Sequence, residues 1–210
     1  MRARDDAVAA IRDLRVRVPY RTYEPANCTE PSPLIIYLHG SGETGDDLDR
    51  LEKAGLPRQL RDGLELPFVV VCPQCRETWD PEALEVLLDA LIESGRFDPR
   101  RVYVCGVSLG ALGTWAFANR VASRLAAIVP ICGPAERIDV KRFRELPVRC
   151  VHGAMDSVVP IGESVKMVRA LRNAGCNVTF DVYADIDHDV WNHCLVDELW
   201  QWLLSHVRSA

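Results

Sequence analysis

The sequence lacks long apolar runs, an excess of basic residues and internal repeats. No segment approaches the roughly 18 apolar residues of a transmembrane helix, so we expect no membrane insertion. The 25 Lys and Arg residues are outnumbered by 30 Asp and Glu residues, which leaves a formal net charge of −5. Because binding to nucleic acid requires a basic surface, this balance argues against a nucleic-acid partner.

The eight cysteines are spread from residue 28 to residue 194, which is unlike a small disulfide-stapled scaffold. Acidic residues at positions 5 and 6 stand where the apolar part of a signal peptide would begin. We therefore expect a cytoplasmic protein whose cysteines are mostly reduced and packed as small apolar side chains. The CxxC at Cys72–Cys75 could be redox active or hold half of a zinc site. Because no second ligand pair stands at a usable spacing, we favour a structural role and expect no metal.

Short apolar runs alternate with helical periodicity along the chain. The runs that are apolar on both faces, as in central strands of a parallel sheet, are 34–38, 68–72, 102–105, 126–131 and 148–151. Residues 15–23 and 178–183 alternate instead, which predicts strands near the sheet edges, and Pro19 confines the first to an edge or a bulge. The predicted helices include 83–92, 164–174 and 194–204. This order predicts an α/β fold, a mostly parallel central sheet flanked by helices.

The motif with the clearest chemistry is Gly106-Val-Ser-Leu-Gly110. It follows an apolar strand and precedes a helical segment, which is the context that a GxSxG nucleophile elbow requires. The serine of such an elbow projects its hydroxyl above the sheet, so Ser108 is the predicted nucleophile. A dinucleotide-binding GxGxxG would need glycine where Ser108 stands.

A serine hydroxyl needs a base to remove its proton, and five histidines are available. We predict His188, because it lies after the last strand, where the base belongs in the chain order serine, acid, histidine. His193 is the main alternative, since it could lie in the first turn of the next helix. His39 and His152 each end a strand before a glycine and are expected to brace loops. We expect His206, near the end of the last helix, to be solvated.

The acid that orients the histidine should come from a loop between the nucleophile and the base. Asp156 follows the strand at 148–151 and is the predicted partner of the histidine Nδ1–H. Carboxylates next to His188 in sequence are poorly aimed at its ring, so we expect a solvated loop at Asp185, Asp187 and Asp189.

An ester-cleaving serine also needs donors for the oxyanion of the tetrahedral intermediate. We predict the backbone N–H of Leu109, directly after the nucleophile, and that of Ser41 in the glycine-rich loop 39–45. This loop lacks the GK[ST] sequence of a phosphate-binding loop.

Four sequence blocks together resemble the α/β-hydrolase superfamily. They are Leu38-His-Gly-Ser-Gly, Gly106-Val-Ser-Leu-Gly, His152-Gly-Ala-Met-Asp with Val159-Pro160, and Asp187-His-Asp-Val-Trp. The chain is most similar to compact bacterial esterases of the carboxylesterase/phospholipase type and to predicted peptidases and polyhydroxybutyrate-depolymerase-like relatives. The resemblance implies a Ser–Asp–His hydrolase of carboxylic esters that needs no cofactor. Dienelactone hydrolases are also similar but carry cysteine where Ser108 stands, and Ala111 replaces the second glycine of the GxSxGG found in many relatives.

These features predict a single domain, with an edge strand and leader over 1–30 and a catalytic core over 31–210. The connection 132–147 is too short for the lid of larger relatives, so we expect an open site and small soluble esters. Two alternatives stay open: a peptidase or amidase on the same triad, and a non-catalytic protein that binds a small ligand. The sequence does not indicate an oligomeric state. Three tryptophans could either line the acyl or alcohol pocket or pack in the core: Trp79, Trp115 and Trp191. Three acidic residues near the oxyanion loop would either disfavour strongly anionic substrates or form a solvated turn: Glu43, Asp46 and Asp47.

Overall fold

A computed structural model describes residues 1–11, 14–134 and 136–209. Its eight strands form one sheet in the order β1-β2-β4-β3-β5-β6-β7-β8. Neighbours from β4 through β8 are parallel, while β1 pairs with β2, and β2 with β4, in antiparallel fashion. The strands are β1 Arg2–Ile11, β2 Leu14–Glu24, β3 Ser32–Leu38, β4 Val69–Pro73, β5 Phe97–Val107, β6 Ala127–Ile131, β7 Val148–Gly153 and β8 Val178–Tyr183.

The helices flank this sheet on both faces, so the predicted α/β fold is confirmed. They are α1 Gly55–Arg61, α2 Pro81–Glu93, α3 Leu109–Val121, α4 Gly162–Asn173, α5 Trp191–Cys194 and α6 Asp197–Leu204. Helix α4 ends before Gly175, whose φ of 77° suits the left-handed position after a helix. None of the described helices is long and apolar enough to cross a membrane.

Two apolar cores form because side chains alternate between the faces of each strand. On one face, Leu34 and Ile36 pack with residues of α2, α3 and α4. On the other, Ile35 and Tyr37 pack with residues of α1, α5 and α6. The runs predicted as central strands are therefore buried on both sides, and the sheet presents its carboxyl-end loops as a rigid platform for a site.

The N-terminal strand differs from the prediction in position and burial. The alternating pattern of 15–23 predicted a solvent-exposed strand, with Pro19 at a sheet edge or a bulge, but β1 lies outside β2 and forms the edge. Arg21, Thr22 and Tyr23 are consequently buried. The Arg21 guanidinium donates to Asp5 on β1 at 2.6 Å and to Asp49 at 2.8 Å, which ties the edge to the loop after β3. The alternation of apolar and polar residues predicted that 15–23 form a strand. It could not predict that β1 pairs with the outer edge of this strand.

The C-terminal helix is also shorter than predicted. Residues 194–204 were expected to form one amphipathic helix, but α5 ends at Cys194 and α6 begins at Asp197. The connection after β6 holds one 3₁₀ helix, Val140–Phe143, in its described part, and Phe143 is buried. This short segment packs on the core and forms no lid over the carboxyl ends of the strands, as expected.

Candidate active site

Ser108 occupies a strained turn between β5 and α3. Its φ of 53° and ψ of −116° lie outside the regions that side-chain-bearing residues favour. The turn is held because Ser108 N–H donates to the Ile131 carbonyl at the end of β6, at 2.9 Å. The strain places the serine side chain at the start of the helix, above the carboxyl end of the sheet.

Three glycines leave the space that this turn needs. A Cβ on Gly106 would lie 2.2 Å from the Gly110 oxygen, and a Cβ on Gly110 would lie 1.9 Å from the Leu38 oxygen. Ala111, which replaces the second glycine of GxSxGG, has its methyl group against Gly133, where an added Cβ would be only 2.3 Å away. In this chain the room beneath the elbow is thus supplied by Gly133 on the neighbouring loop.

The structure brings the three predicted catalytic side chains into one hydrogen-bonded row. His188 Nε2 lies 2.9 Å from Ser108 Oγ, and His188 Nδ1 lies 2.8 Å from Asp156 Oδ2. The three residues follow three different strands. Asp156 is 32 residues and Ser108 is 80 residues before His188 along the chain. In this arrangement Asp156 can accept the Nδ1 proton, which leaves Nε2 free to accept the proton of Ser108.

The carboxylate of Asp156 is fully removed from solvent, with 0% of its side chain exposed. Burying an ionised carboxylate is costly unless donors surround it. Here the Val158 and Val159 N–H groups donate to Asp156 Oδ1 at 2.9 and 2.8 Å, while Oδ2 faces His188. The turn after β7 therefore fixes the carboxylate's orientation with backbone groups.

The loop that carries His188 is fastened to the Asp156 loop by Asp187. Its carboxylate accepts from Ser157 N–H at 2.8 Å, from Ser157 Oγ at 2.9 Å, and from His188 N–H at 2.7 Å. These hydrogen bonds, that from Ser157 N–H foremost, lower the pKa of Asp187. The expectation of a merely solvated carboxylate was wrong here, because Asp187, although exposed, joins the two loops of the site.

A cavity of about 200 Å³ opens beside Ser108 and His188. Ser41, the predicted second oxyanion donor, lines it, and Leu109 follows Ser108 at the start of α3, where an N–H has no partner within the helix. Glu43 also lines the cavity and is buried, and this burial raises its pKa. Glu43 therefore lies in the cavity wall, and the alternative that it belongs to a solvated turn was wrong.

The other two acidic residues near this loop lie at the surface. Asp46 is exposed and pairs with Arg76 at 2.6 Å. Asp47 is exposed and accepts from Asp49 N–H at 3.0 Å, which caps a 3₁₀ helix over Leu48–Lys53. Both fit the expected polar turn.

The three tryptophans have different positions. Trp191 lines the cavity, with its ring 5.5 Å from that of His188 in an edge-to-face arrangement. Trp115 is buried against Phe143 in the core, so a wall role for it was wrong. Trp79 packs at 4.7 Å on His39 and borders a separate cavity of about 600 Å³.

The remaining histidines do not reach Ser108. His39 and His152 are buried, and each hydrogen-bonds to a carbonyl oxygen of its own loop, as expected. His193 lies in α5, exposed, with its ring 6.4 Å from that of Tyr183. His206 was expected to be solvated, but it is half-buried, because its ring packs at 4.5 Å on that of Trp202.

One cysteine that the sequence analysis did not single out lies beside the site. Cys132 Sγ lies within 4.8 Å of ligand atoms of Asp156 and His188. Asp156 and His188 are already hydrogen-bonded to each other, and burial raises the pKa of the Cys132 thiol, so the cluster is poorly suited to a metal ion.

In the CxxC at Cys72–Cys75, both thiols are free and burial raises the pKa of Cys75 to about 12, which fits the structural role expected.

Comparison with known proteins identifies the family. The model of the dienelactone hydrolase family matches residues 75–193, more than half of the chain, and this range includes Ser108, Asp156 and His188. The chain belongs to the dienelactone hydrolase family. The fold of this dienelactone hydrolase family member is therefore that of the α/β-hydrolase superfamily, as the four sequence blocks predicted.

One relative and two structures of similar fold illustrate the similarity. A bifunctional acetylxylan esterase/xylanase of Neocallimastix patriciarum is 30% identical over 146 residues, which is 65% of this chain and 21% of that protein. The family member described here thus spans about a fifth of its curated relative. A thermostable esterase structure superposes with a TM-score of 0.80 at 24% identity, covering 97% of this chain and 63% of that one. A ferulic acid esterase superposes with a TM-score of 0.71 at 17% identity, covering 96% of each chain.

Proposed function

We propose that this protein is a serine esterase that cleaves small soluble carboxylic esters through an acyl-enzyme on Ser108. The observation that carries the proposal is the position of His188, 2.9 Å from Ser108 Oγ and 2.8 Å from the buried carboxylate of Asp156. A serine held at positive φ with a base and an oriented acid in line has a geometry suited to nucleophilic attack. Membership of the dienelactone hydrolase family and the esterase relative support the same reaction class.

In the proposed mechanism, Ser108 Oγ attacks the ester carbonyl carbon while His188 Nε2 takes the hydroxyl proton. The resulting imidazolium is stabilised by the Asp156 carboxylate, which stays ionised. When the tetrahedral intermediate collapses, the bond to the alkoxy oxygen breaks and His188 returns the proton to the leaving alcohol. Water, deprotonated by the same imidazole, then attacks the acyl-enzyme and releases the carboxylic acid and free Ser108.

The negative oxygen of each tetrahedral intermediate would be held by the N–H groups of Leu109 and Ser41. Leu109 N–H is available because the first N–H groups of a helix have no partner within it. Ser41 borders the same cavity as Ser108, in a segment where Gly40 lies close to the serine: a Cβ on Gly40 would be 3.7 Å from Ser108 Cβ. Two such preorganised donors supply a large part of the rate enhancement in acyl transfer.

The size of the cavity favours a short acyl group. About 200 Å³ bounded by Trp191, Tyr37 and the glycine-rich loop accommodates an acetyl or butyryl group but not a long fatty chain. The relative from Neocallimastix patriciarum bears an acetylxylan esterase name, which supports acetyl esters of soluble saccharides as one natural substrate class. The buried carboxyl of Glu43 on the cavity wall disfavours strongly anionic acyl groups.

The proposal is tested with p-nitrophenyl esters of two, four and eight carbons and with p-nitroacetanilide as the matched amide. We expect kcat/KM to be highest for the acetate or butyrate and to fall at eight carbons. Ser108→Ala should lower kcat for the acetate on the order of 10³-fold or more, since the nucleophile is absent. Hydrolysis surviving in Ser108→Ala would contradict the assignment of Ser108, and faster turnover of the amide than of the ester would point to an amidase.

We also propose that the protein acts in the cytoplasm as a single domain with its catalytic core over 31–210. All eight cysteines are free, including Cys28 and Cys75 at partly exposed positions, which suits a reducing compartment. The sheet supports the domain proposal, because β1 and β2 continue it from β4 without a break in pairing between neighbours. Titration of free thiols in protein purified without reductant tests the proposed reducing compartment. Fewer than eight free thiols per chain would contradict it.

A further inference from the structure

A second imidazole, that of His152, lies beside the Asp156 carboxylate, and the proposed mechanism does not use it. Its side chain is 0% exposed. Its Nε2 is 2.9 Å from the Val159 carbonyl oxygen and 3.2 Å from Asp156 Oδ2, and its Nδ1 is 2.7 Å from Ser164 Oγ on α4. His152 therefore contacts the same oxygen of the triad's acid, Asp156 Oδ2, that His188 contacts.

These contacts determine where the protons are. A carbonyl oxygen can only accept, so the short contact to Val159 requires a proton on His152 Nε2. In the neutral imidazole Nδ1 is then an acceptor, and the Ser164 hydroxyl donates to it. The N–H directed at Val159 also presents its positive end to Asp156 Oδ2, without adding a charge to the buried site.

Val159 connects His152 to the acid a second time. Its N–H donates to Asp156 Oδ1 at 2.8 Å, while its carbonyl accepts from His152. The imidazole thus holds the same residue whose amide holds the carboxylate. Removing the Nε2–H would free the Val159 carbonyl and leave Asp156 Oδ2 facing His188 alone.

We propose that His152 is a positioning residue for the triad, which orients Asp156 through Val159 and through its N–H dipole at Oδ2, with Ser164 setting its tautomer. The proposal rests on the proposed esterase function. Without the His152 N–H beside Asp156 Oδ2, the negative charge of this oxygen is less compensated. The protonated form of His188, which contacts the same oxygen, therefore becomes more stable. Loss of the orientation slows proton transfer without changing substrate contacts, because His152 does not line the cavity beside Ser108.

Three further titratable side chains lie near these residues and must stay constant in the test. Cys132 lies beside Asp156 and His188, and the exposed Asp187 accepts from His188 N–H. Cys150 lies beside Ser164. A comparison between two variants of His152 leaves all three unchanged, so a difference between those variants reports on His152 itself.

The test compares His152→Asn with His152→Gln. The asparagine amide reaches only the Nδ1 position and keeps the contact with Ser164, whereas the longer glutamine amide carries an N–H to the Nε2 position. For His152→Asn we expect kcat for p-nitrophenyl acetate to fall about tenfold with KM within about twofold. The acid limb of kcat/KM should move to higher pH by about half a unit, the size expected for one neutral hydrogen-bonding contact. His152→Gln should keep kcat within about threefold of the wild type and leave the acid limb in place.

A second readout does not depend on turnover. The His188 ring protons, followed by NMR over pH 5 to 9, should show the same upward shift of their titration midpoint in His152→Asn and none in His152→Gln. The proposal would be overturned if the two variants had the same His188 midpoint, or if the midpoint in His152→Asn equalled that of the wild type. If the wild type itself turned over no ester, the proposed function would fail while the NMR comparison still decided the role of His152.

Ser164→Ala covers the case in which neither variant of His152 folds. Without the hydroxyl donor the imidazole loses its anchor on α4, so we expect a loss in kcat of about threefold and a shift of the His188 midpoint in the same direction. Thermal melting establishes that the variant is folded. An unchanged kcat and midpoint in a folded Ser164→Ala would contradict the chain of contacts from α4 to Asp156.

Discussion

Acidification from pH 7 to pH 5 should destabilise the fold through the buried imidazole of His39. The residue is 1% exposed and lies between β3 and the oxyanion loop. Its Nδ1 is 2.6 Å from the Gly40 carbonyl, which can only accept, and its Nε2 accepts from Cys75 N–H at 3.1 Å. A proton added at Nε2 would face the N–H of Cys75, so the folded structure accommodates only the neutral ring.

The magnitude follows from linkage between protonation and folding. Burial lowers the pKa of His39 from 6.5 to about 4. The stability contributed by the neutral ring is therefore fully present above pH 6.5 and is lost as the pH falls toward 4. Between pH 7 and pH 5 the unfolded chain takes up the proton and the folded chain does not. The unfolded chain protonates only below its pKa of 6.5, so about 1.5 pH units of this interval count. At about 1.4 kcal/mol per pH unit, the free energy of unfolding falls by about 2 kcal/mol.

Urea unfolding followed by tryptophan fluorescence at pH 7, 6 and 5 measures this loss. The wild type is compared with His39→Gln, which keeps an acceptor for Cys75 N–H but cannot titrate. The stability advantage of the wild type over His39→Gln should shrink by about 2 kcal/mol from pH 7 to pH 5. His193→Gln, at an exposed position, is the matched control for loss of one imidazole. An advantage of the same size at pH 7 and pH 5 would refute the reasoning.

Two further predictions concern the loops and the elbow. Asp187→Ala should lower kcat about tenfold by releasing the loop that carries His188; Asp185→Ala, on the same exposed loop, is the control, and equal rates for both variants would contradict the clamp. Gly110→Ala would place a Cβ 1.9 Å from a carbonyl oxygen of β3, so we expect a loss of about 4 kcal/mol or more in urea unfolding, or no folded protein. The control Gly162→Ala adds its Cβ in open space on α4 and should change stability by less than about 1 kcal/mol; similar stabilities for the two alanine variants would contradict the steric account.

The placement of Ser108, Asp156 and His188 was predictable because each depends on local order along the chain. Apolar runs identify the strands, and the carboxyl ends of parallel strands meet at one edge of the sheet. Residues in the loops that follow those strands must therefore lie close together. The short connection 132–147 likewise showed from its length alone that little could cover the site.

What the sequence did not reveal are contacts between loops that are distant along the chain. The role of Asp187 depends on Ser157, 30 residues away, and that of His152 on Ser164, 12 residues away on α4. Neither pairing leaves a periodic signal. The edge position expected of β2 failed for the same reason, because pairing with β1 is a tertiary contact that alternation along one strand cannot report.

Labelling with a fluorophosphonate, followed by mass spectrometry of the digested protein, tests the central claim most directly. The probe forms a covalent bond only with a serine whose oxygen is activated as a nucleophile. We predict one adduct per chain, on Ser108, and none in Ser108→Ala, although the exposed serines Ser41 and Ser157 lie in the neighbouring loops. A folded wild-type protein that took up no label, or carried it on either of those serines, would contradict the account.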